Sequence, residues 1–334
     1  MNRVYDILGI TEFDLANVED RSKFYQNNEF VNIQNGQTTH IGIFTTPSIA
    51  ELKSLIDFNE LISKPDLDLN PVKITVQSGI DIGQLQGTLK TTDKAMIQVA
   101  SNFNCLEVAN RKHNPNNGRL IEDHVHDNTQ GPAATFGTLA ASLYRCHFVF
   151  NQDGKICGQT LNRQLNMLHD VDEYFGTPIN GKLTLTGNHK VIPNEFTIVA
   201  DKIKVGLHTD CAIMYDRNGK LSEPYQMVDQ VFNSTINLRN YGQPFLPYNR
   251  SNDEKFMSQV LLRAAYEGVY LSAIIREREV LYLTLIGGGV FKNKIPLIID
   301  ELERAHNKYA KYSKLKQVIL CLYQPDNYII NYFK

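Results

Sequence analysis

Disulfide motifs, an excess of charge of one sign and long apolar runs are all missing from this chain. Its five cysteines are scattered without a Cys-x-x-Cys pair, which favours reduced, mostly buried thiols over a disulfide framework. The 34 basic and 36 acidic residues give a formal net charge of −2. A nucleic-acid-binding protein would carry a basic stripe. We therefore expect no nucleic-acid partner.

The absence of membrane and cofactor motifs narrows the function further. No apolar run reaches the roughly 18 residues that a membrane span needs, and residues 1–6 contain no apolar signal core. We expect a cytoplasmic protein without a membrane span, or one delivered to a host cytosol if it is a secreted effector. Neither Gly-x-Gly-x-x-Gly nor a Walker-type lysine motif occurs, so dinucleotide redox enzymes and P-loop ATPases are disfavoured and no cofactor is expected.

What the chain does contain is an alternation of apolar strands and helical patterns. Apolar and β-branched runs predict the strands 40–44, 72–76, 95–100, 197–199, 203–207, 211–215, 281–286 and 317–323. Apolar spacing of helical period predicts helices at about 47–56, 133–144, 253–277 and 295–309. Buried strands that alternate with helices are typical of a largely parallel sheet covered on both faces. In such α/β sheets ligands lie at the carboxyl ends of the strands.

A turn-rich stretch divides the sequence near residue 71. Residues 64–71 contain two prolines and three aspartate or asparagine residues, which makes them the best boundary. We therefore predict an N-terminal extension over residues 1–71, followed by the α/β domain over residues 72–334.

Three consecutive glycines, Gly287 to Gly289, follow one predicted strand and precede a predicted helix. Glycine lets the backbone approach phosphate oxygens closely, and a helix start presents N–H groups that favour an anion. A second predicted helix starts at Gly131-Pro132. The two helix starts, at Pro132 and near Lys294, would converge on one pyrophosphate.

Four sequence pieces, taken together, resemble the macrodomains, the ADP-ribose-binding family. They are Ser-Gly-Ile-Asp-Ile at 78–82, the strand 97–104 that ends in Asn102-Phe-Asn104, Gln-Gly-Pro-Ala-Ala at 130–134, and Leu-Ile-Gly-Gly-Gly-Val-Phe at 285–291. They occur in the order that the family uses and cover roughly residues 72–148 and 253–324. The resemblance implies a three-layer α/β/α macrodomain-like fold with a mixed, largely parallel central sheet. Residues 150–250 exceed the family minimum, which implies a central insertion.

The resemblance also implies which residues touch ADP-ribose. Asp81 would accept a hydrogen bond from the adenine amino group, and Asn104 would face the distal ribose. The loops at Gly131 and at 287–290 would hold the diphosphate, with Phe291 beside the ribose. The ligand-binding residues expected in this way are Asp81, Ile82, Asn102, Gln130, Gly131, Pro132, Ala133, Gly287, Gly288, Gly289, Val290, Phe291 and Tyr323.

An acidic segment at 122–127 suggests chemistry at that ribose. Cleavage at the anomeric carbon passes through an oxocarbenium-like state, which a carboxylate stabilises or supplies with activated water. We predict Asp127 as the first catalytic candidate and Asp123 as the second, with Asn104 orienting the ribose or the water. The segment 129–133, Thr-Gln-Gly-Pro-Ala, is similar to that of divergent macrodomain-like ADP-ribosyl hydrolases, which favours an enzyme.

Three functions follow from these patterns. The first is binding of ADP-ribose with hydrolysis of ADP-ribosyl linkages on modified proteins or small molecules. The second is a reader or sponge of ADP-ribose, or of another NAD-derived nucleotide, without turnover. The third is a metal-dependent hydrolase that uses His124 and His126, which share a face in an extended strand, with a third ligand from 169–170 or 208–210.

Overall fold

The computed structural model describes residues 3–63, 72–108, 120–184, 196–239 and 250–334, without the side chains at 125–126 and 250–254. Its strands are β1 Tyr25–Gln26, β2 Glu29–Val31, β3 Thr38–His40, β4 Ile43–Thr45, β5 Ile74–Ser78, β6 Ala95–Ala100, β7 Phe150–Gln152, β8 Lys155–Cys157, β9 Gly206–Ile213, β10 Tyr215–Asp216, β11 Gly219–Lys220, β12 Gln226–Asn233, β13 Val280–Leu283 and β14 Gln317–Leu322. Its α-helices are α1 Arg3–Leu8, α2 Glu12–Ala16, α3 Ile49–Ser54, α4 Phe58–Ser63, α5 Ile82–Thr88, α6 Gln130–Gly137, α7 Leu139–His147, α8 Asp172–Phe175, α9 Phe196–Lys202, α10 Arg250–Ile275, α11 Ile295–Tyr309 and α12 Asn327–Tyr332.

Seven of these strands form the central sheet, in the order β4-β9-β12-β6-β13-β14-β5. Strands β12, β6, β13, β14 and β5 are mutually parallel, whereas β9 runs antiparallel to both β12 and β4. The sheet is therefore mixed and largely parallel, as predicted. Strand β6 is buried along nearly its whole length, which matches a strand covered on both faces.

Consecutive residues of β12 show the two covered faces. The Gln230 amide nitrogen donates to the Gln86 side chain of α5 at 2.8 Å and to the Ala134 carbonyl of α6 at 3.1 Å. The neighbouring Asp229 carboxylate accepts from Arg276, at the end of α10, at 3.0 Å. Because successive strand residues point to opposite faces, α5 and α6 cover one face and α10 covers the other. The three-layer α/β/α arrangement is confirmed.

Strands from every predicted segment join this sheet. Strand β4 lies within residues 1–71, and β9 and β12 lie within the stretch predicted as an insertion. The predicted boundary at 64–71 falls outside the described residues. The division into an extension and a domain with an insertion therefore stays a prediction.

Several predicted elements differ in detail from the observed ones. The helix predicted over 133–144 is two helices, α6 and α7, which meet at Thr138, where φ is −110° and ψ is 60°. The predicted strand 197–199 was wrong: it belongs to α9, which buries Val199 and Ala200 and packs against α10. The predicted strand 40–44 is split at Gly42, whose φ of +89° interrupts a strand. Packing in the folded chain overrode the local preference of these residues.

The helices α10 and α11 follow their predicted bounds closely. Helix α11 begins after Lys294 with a proline in its first turn, as helix starts favour. Its Glu301 binds Arg263 of α10 with an Nε–Oε2 distance of 3.0 Å. Among the described residues, no helix has both the length and the apolar character to cross a membrane.

Candidate active-site cleft

A cleft of about 560 Å³ opens at the carboxyl ends of the parallel strands. Strands β6, β12, β13 and β14 all end at this edge of the sheet because they run in the same direction. The residues that follow each strand line the cleft, namely Ser101 and Asn102, Ser234 and Thr235, Thr284 to Gly287, and Tyr323 and Gln324. This is the edge at which α/β sheets hold their ligands.

Many of the residues predicted from sequence come together in this cleft. Its lining contains Asn102, Asp127, Gln130, Gly131, Pro132, Gly287, Gly289, Val290, Phe291 and Tyr323. They arrive from separate stretches of the chain, and the fold brings them to one cleft. Other predicted residues do not line it, namely Asp81, Ile82, Asn104, Asp123, Ala133 and Gly288.

Asp81 is engaged at the start of a helix. Its carboxylate accepts from the backbone N–H groups of Gly83 at 2.8 Å and Gln84 at 3.1 Å, as the N-cap of α5. The same carboxylate pairs with Arg217, whose Nε lies 2.8 Å from Oδ2. The following Ile82 is buried in the core. In this structure Asp81 therefore stabilises α5 and binds Arg217.

Asn104 is also held by the protein. Its Nδ2 donates to Gln164 at 2.9 Å, and its Oδ1 accepts from the Leu106 backbone N–H at 3.1 Å. The side chain is 3% exposed. Asn102, two residues earlier, lines the cleft instead. Its Nδ2 donates to the Leu106 carbonyl at 2.9 Å, so it too is fixed in place.

Three other predicted residues, Ala133, Gly288 and Asp123, do not line the cleft because of their positions in the local structure. Ala133 is buried in α6, one residue behind the cleft-lining Pro132. A β-carbon at Gly288 would lie 3.1 Å from Ile295, so this residue faces the start of α11. Asp123 lies half-buried in the 3-10 helix Glu122–His126.

Hydrogen bonds of Asn293 hold the glycine loop after β13 in place. Its Nδ2 donates to the Ile236 carbonyl at 2.9 Å, its backbone N–H donates to the Gly287 carbonyl at 3.0 Å, and its Oδ1 accepts from Ser258. Gly287 has a φ of +72°, and a β-carbon there would lie 2.1 Å from Thr235. Only glycine fits this position. By contrast, a β-carbon at Gly289 would meet nothing within 4 Å.

The start of α6 forms the opposite wall. The Gln130 side chain clamps it to the end of β6, because its Oε1 accepts from the Ala100 N–H and its Nε2 donates to the Gln98 carbonyl, each at 2.8 Å. The first turn of a helix carries N–H groups without intrahelical acceptors and a partial positive charge. The cleft therefore places this helix start and the glycine loop along one channel suited to an anion.

Glu107 is the main site residue that the sequence did not predict. It lines the cleft beside Gly131. Burial raises the pKa of Glu107 to about 8, the Lys182 ammonium opposes this shift, and the Asp127 carboxylate adds to it. Glu107 follows the predicted strand end by only a few residues, and this proximity to Asn102 was the available signal. At neutral pH its carboxyl holds a proton.

Asp127 also lines the cleft. Its Oδ1 accepts from the Thr129 N–H at 2.8 Å and from the Thr129 hydroxyl at 2.5 Å. Hydrogen bonds of this kind stabilise a carboxylate. Lys182, which the sequence also did not indicate, supplies a cation to the lining. The cleft therefore combines the Glu107 carboxyl group, whose pKa is raised by burial, the Asp127 carboxyl group, which accepts from Thr129, and the Lys182 side chain.

The histidine expected to bind a metal has other partners. The Nε2 of His124 donates to the Glu107 carbonyl at 3.1 Å, and its Nδ1 lies 3.2 Å from the Thr135 hydroxyl. Burial lowers the pKa of His124, so the ring is neutral. The side chain of His126 lies outside the described set. A metal on either ring nitrogen of His124 would displace the hydrogen bond that this nitrogen makes.

The proposed third ligands lie in other pairings. His208 is buried and accepts from Arg145 at 3.0 Å. Asp170 binds Lys204, and Asp210 binds Arg276, with N–O distances of 2.8 Å in both pairs. Within the described part of the chain, the cluster that could hold a metal is Glu12, Cys146 and His147, away from the cleft lining.

Solved structures with a similar arrangement are poly(ADP-ribose) glycohydrolases. The enzyme from Thermomonospora curvata is 13% identical with a TM-score of 0.47, and the match covers 93% of this chain and 92% of that one. Its structure with the inhibitor ADP-HPD matches at 13% identity and a TM-score of 0.47, over 95% and 94% of the two chains. The Deinococcus radiodurans enzyme in complex with ADP-ribose matches at 13% and 0.44, over 85% and 88%. No protein-family profile and no curated protein matches the chain.

Proposed function

We propose that this chain binds ADP-ribose in the cleft and hydrolyses the glycosidic bond that links it to a modified protein or small molecule. The observation that carries the proposal is that two carboxyl groups, the buried Glu107 and the Thr129-bonded Asp127, line one cleft. Burial raises the pKa of Glu107 to about 8, while Asp127 is hydrogen-bonded as a carboxylate. Glycoside hydrolysis uses a pair of carboxyl groups, one that donates a proton and one that acts as a base or stabilises charge.

The diphosphate would lie between the glycine loop and the start of α6. Both supply backbone N–H groups, and Gly289 leaves open space where a phosphate oxygen would approach. The Lys182 ammonium adds positive charge to the same lining. A volume of about 560 Å³ is within the range of roughly 300–1,000 Å³ of small-molecule pockets.

Aromatic side chains at the cleft suit the base and the ribose. Tyr323 is 59% exposed at the end of β14, and Phe291 follows the glycine loop. An exposed aromatic ring on a cleft wall offers a stacking surface for adenine. With Tyr323 at the adenine and Phe291 at the distal ribose, the anomeric carbon would lie towards Glu107 and Asp127.

In the reaction, protonated Glu107 would donate its proton to the leaving group as the glycosidic bond breaks. The Asp127 carboxylate would stabilise the positive charge that develops on the ribose, or accept a proton from the attacking water. The leaving group departs with the proton from Glu107, and the water adds its hydroxyl to the anomeric carbon while its proton passes to Asp127 or back to the Glu107 carboxylate. ADP-ribose and the released acceptor are the products.

Calorimetric titration with ADP-ribose tests the binding half of this proposal. Heat of binding at micromolar to millimolar ligand would support it, and no heat at millimolar ADP-ribose would remove both the hydrolase and the reader. Release of ADP-ribose from a modified protein tests the chemistry, with Asp127→Asn as the variant. Asparagine keeps an oxygen acceptor for Thr129 while it removes the charge, so the loop is preserved. Binding without release by the wild type would identify a reader.

A further inference from the structure

Glu12, in α2, places a carboxylate beneath the wall of the cleft. The side chain is 1% exposed. Its oxygens accept from three consecutive backbone N–H groups, those of Leu120 and Ile121 at 3.1 Å and that of Glu122 at 3.3 Å. These amides begin the turn that runs through the 3-10 helix at 122–126 to Asp127. Glu12 thus caps the segment that carries a catalytic candidate, although the two are far apart in the sequence.

A buried histidine completes the arrangement. His147, at the end of α7, donates from Nε2 to the Glu12 Oε1 at 3.0 Å and is 0% exposed. Burial raises the pKa of Glu12, but hydrogen bonds from His147, Ile121 and Glu122 outweigh it and hold the pKa below its usual value. Burial lowers the pKa of His147. The pair is therefore a carboxylate that accepts from a neutral imidazole.

A second set of contacts joins the N-terminal residues to the same turn. The Val4 backbone N–H donates to a Glu122 carboxylate oxygen at 3.3 Å, and the Arg3 guanidinium lies 3.9 Å from the other. Arg3 also stacks on Phe136 of α6, with Cζ 5.2 Å from the ring centroid. Helix α1 therefore contacts both the acidic turn and α6, whereas α2 contacts the turn through Glu12.

We propose that Glu12 is a positioning residue, which fixes the turn at 120–127 from behind and thereby holds Asp127 at the cleft. This role rests on the proposed function. It acts through the turn, because the carboxylate is fully buried and does not line the cleft. Glu12 then supports the site from a part of the sequence that lies outside the resemblance to a macrodomain.

Glu12 and His147, together with the neighbouring Cys146, could instead be read as a metal site. Ligand atoms of Glu12, Cys146 and His147 lie within 4.8 Å of one another. The Glu12 oxygens, however, already accept from three amides and from His147, so a cation would compete with four donors. Burial raises the pKa of Cys146 well above its usual value, which disfavours the thiolate that a metal needs. Stoichiometric zinc in the purified protein would overturn the positioning role.

The test compares Glu12→Gln with Asp14→Asn on the same helix. The new glutamine amide would direct an N–H₂ group towards backbone donors, whereas Asp14 is exposed and accepts only from Thr11 within its own helix cap. We expect Glu12→Gln to accelerate hydrogen exchange of the amides at 120–127 about tenfold or more, with the sheet amides unchanged. We also expect kcat to fall by about tenfold to a hundredfold, as misplacement of a catalytic group does, while the ADP-ribose dissociation constant stays within about threefold. Asp14→Asn should change none of these quantities.

Two milder variants keep the proposal open to refutation if Glu12→Gln does not fold. Glu12→Asp should restore part of kcat, and His147→Gln should raise exchange at 120–127 by a smaller factor. The role of Glu12 would be overturned if the loss of kcat simply followed a loss of global stability in these variants, or if exchange at 120–127 were unchanged. The exchange measurement needs no substrate. If the wild type hydrolyses nothing, the proposed function fails while the contact between Glu12 and the turn is still judged by exchange.

Discussion

The carboxyl group of Glu107 packs directly against the backbone of Gly131 at the start of α6. A β-carbon at Gly131 would lie 2.6 Å from a Glu107 carboxyl oxygen and 2.2 Å from the carbonyl oxygen of Ala100. The Ala100 carbonyl belongs to β6 and cannot retreat without disturbing the sheet. Glycine is therefore required for Glu107, the helix start and the central strand to meet.

Gly131→Ala should damage both the fold and the site, because the new methyl group collides with backbone. Overpacking of this kind costs about 1–3 kcal/mol of the free energy of unfolding. We also expect a loss of activity, since Glu107 would be pushed from its place. Thermal and denaturant unfolding measure the first effect, and ADP-ribose release measures the second. Wild-type stability in this variant would contradict the tight contact.

Two glycines of the loop after β13 should respond in opposite ways. Gly287→Ala should lower the free energy of unfolding by about 1–3 kcal/mol, because φ is +72° and Thr235 fills the space. Gly289→Ala should leave stability unchanged, because nothing lies within 4 Å of its β-carbon. It should nevertheless weaken ADP-ribose binding about tenfold, or about 1.4 kcal/mol, by occupying phosphate space. Calorimetry and unfolding curves on both variants separate the two effects.

Glu107→Gln should reduce kcat by about 10²–10⁴-fold, the usual contribution of a general acid. In the wild type, kcat/KM should fall as pH rises through about 8, where Glu107 loses its proton. The Glu107→Gln protein should bind ADP-ribose as the wild type does. An activity that rises above pH 8 in the wild type would exclude Glu107 as the acid.

Glu107 should also make the free energy of unfolding depend on pH. Since its pKa is raised from 4.5 to about 8 on folding, the folded protein holds a proton that the unfolded chain has lost between these values. The contribution of protonated Glu107 is therefore full below about pH 4.5 and is lost as pH rises towards 8. Glu107→Gln should be less sensitive to pH in this window. Urea unfolding at several pH values compares the two proteins.

Lys182→Met should move the alkaline limb of the activity profile to higher pH. The ammonium of Lys182 lowers the pKa of Glu107, so its removal lets burial and Asp127 raise that pKa further. Lys204→Met is a suitable control, because Lys204 pairs with Asp170 and does not line the cleft. If the alkaline limb of Lys182→Met shifts to lower pH, or if Lys204→Met shows an equal shift, Lys182 does not lower the pKa of Glu107 as proposed.

Removal of divalent metal should leave hydrolysis intact. Both ring nitrogens of His124 are engaged, by the Glu107 carbonyl and by Thr135, so we expect catalysis without a metal on this histidine. Activity is measured before and after dialysis against a chelator. Loss of activity that zinc or manganese restores would favour the metal-dependent hydrolase over the metal-free mechanism.

Local sequence patterns predicted the parts of this site that depend on local backbone geometry. The glycine loop and the Gln130-Gly131-Pro132 helix start were recognisable because each is defined by consecutive residues. The parallel strands were recognisable from their continuous apolar character, and parallel strands fix where the loops meet. Fold class and cleft edge therefore followed from the sequence.

Residues whose place depends on tertiary contacts could not be predicted in this way. Lys182 reaches the cleft because its segment packs on the end of β6, where the Phe103 N–H donates to the Gly181 carbonyl at 2.7 Å. The raised pKa of Glu107 depends on burial that only the fold creates. Asp81 illustrates the opposite difficulty, since an aspartate before a helix is equally suited to cap that helix.

Strand β4 has a practical consequence for anyone who shortens this protein. It pairs with residues 207–209 of β9, and so covers the edge of the central sheet. A chain that begins at residue 72 would keep every macrodomain-like motif, and β9 would stay paired with β12, but the edge of β9 that faces β4 would lose its partner. Exposed edge strands recruit other strands, so such a fragment should self-associate and come out of the cell in inclusion bodies.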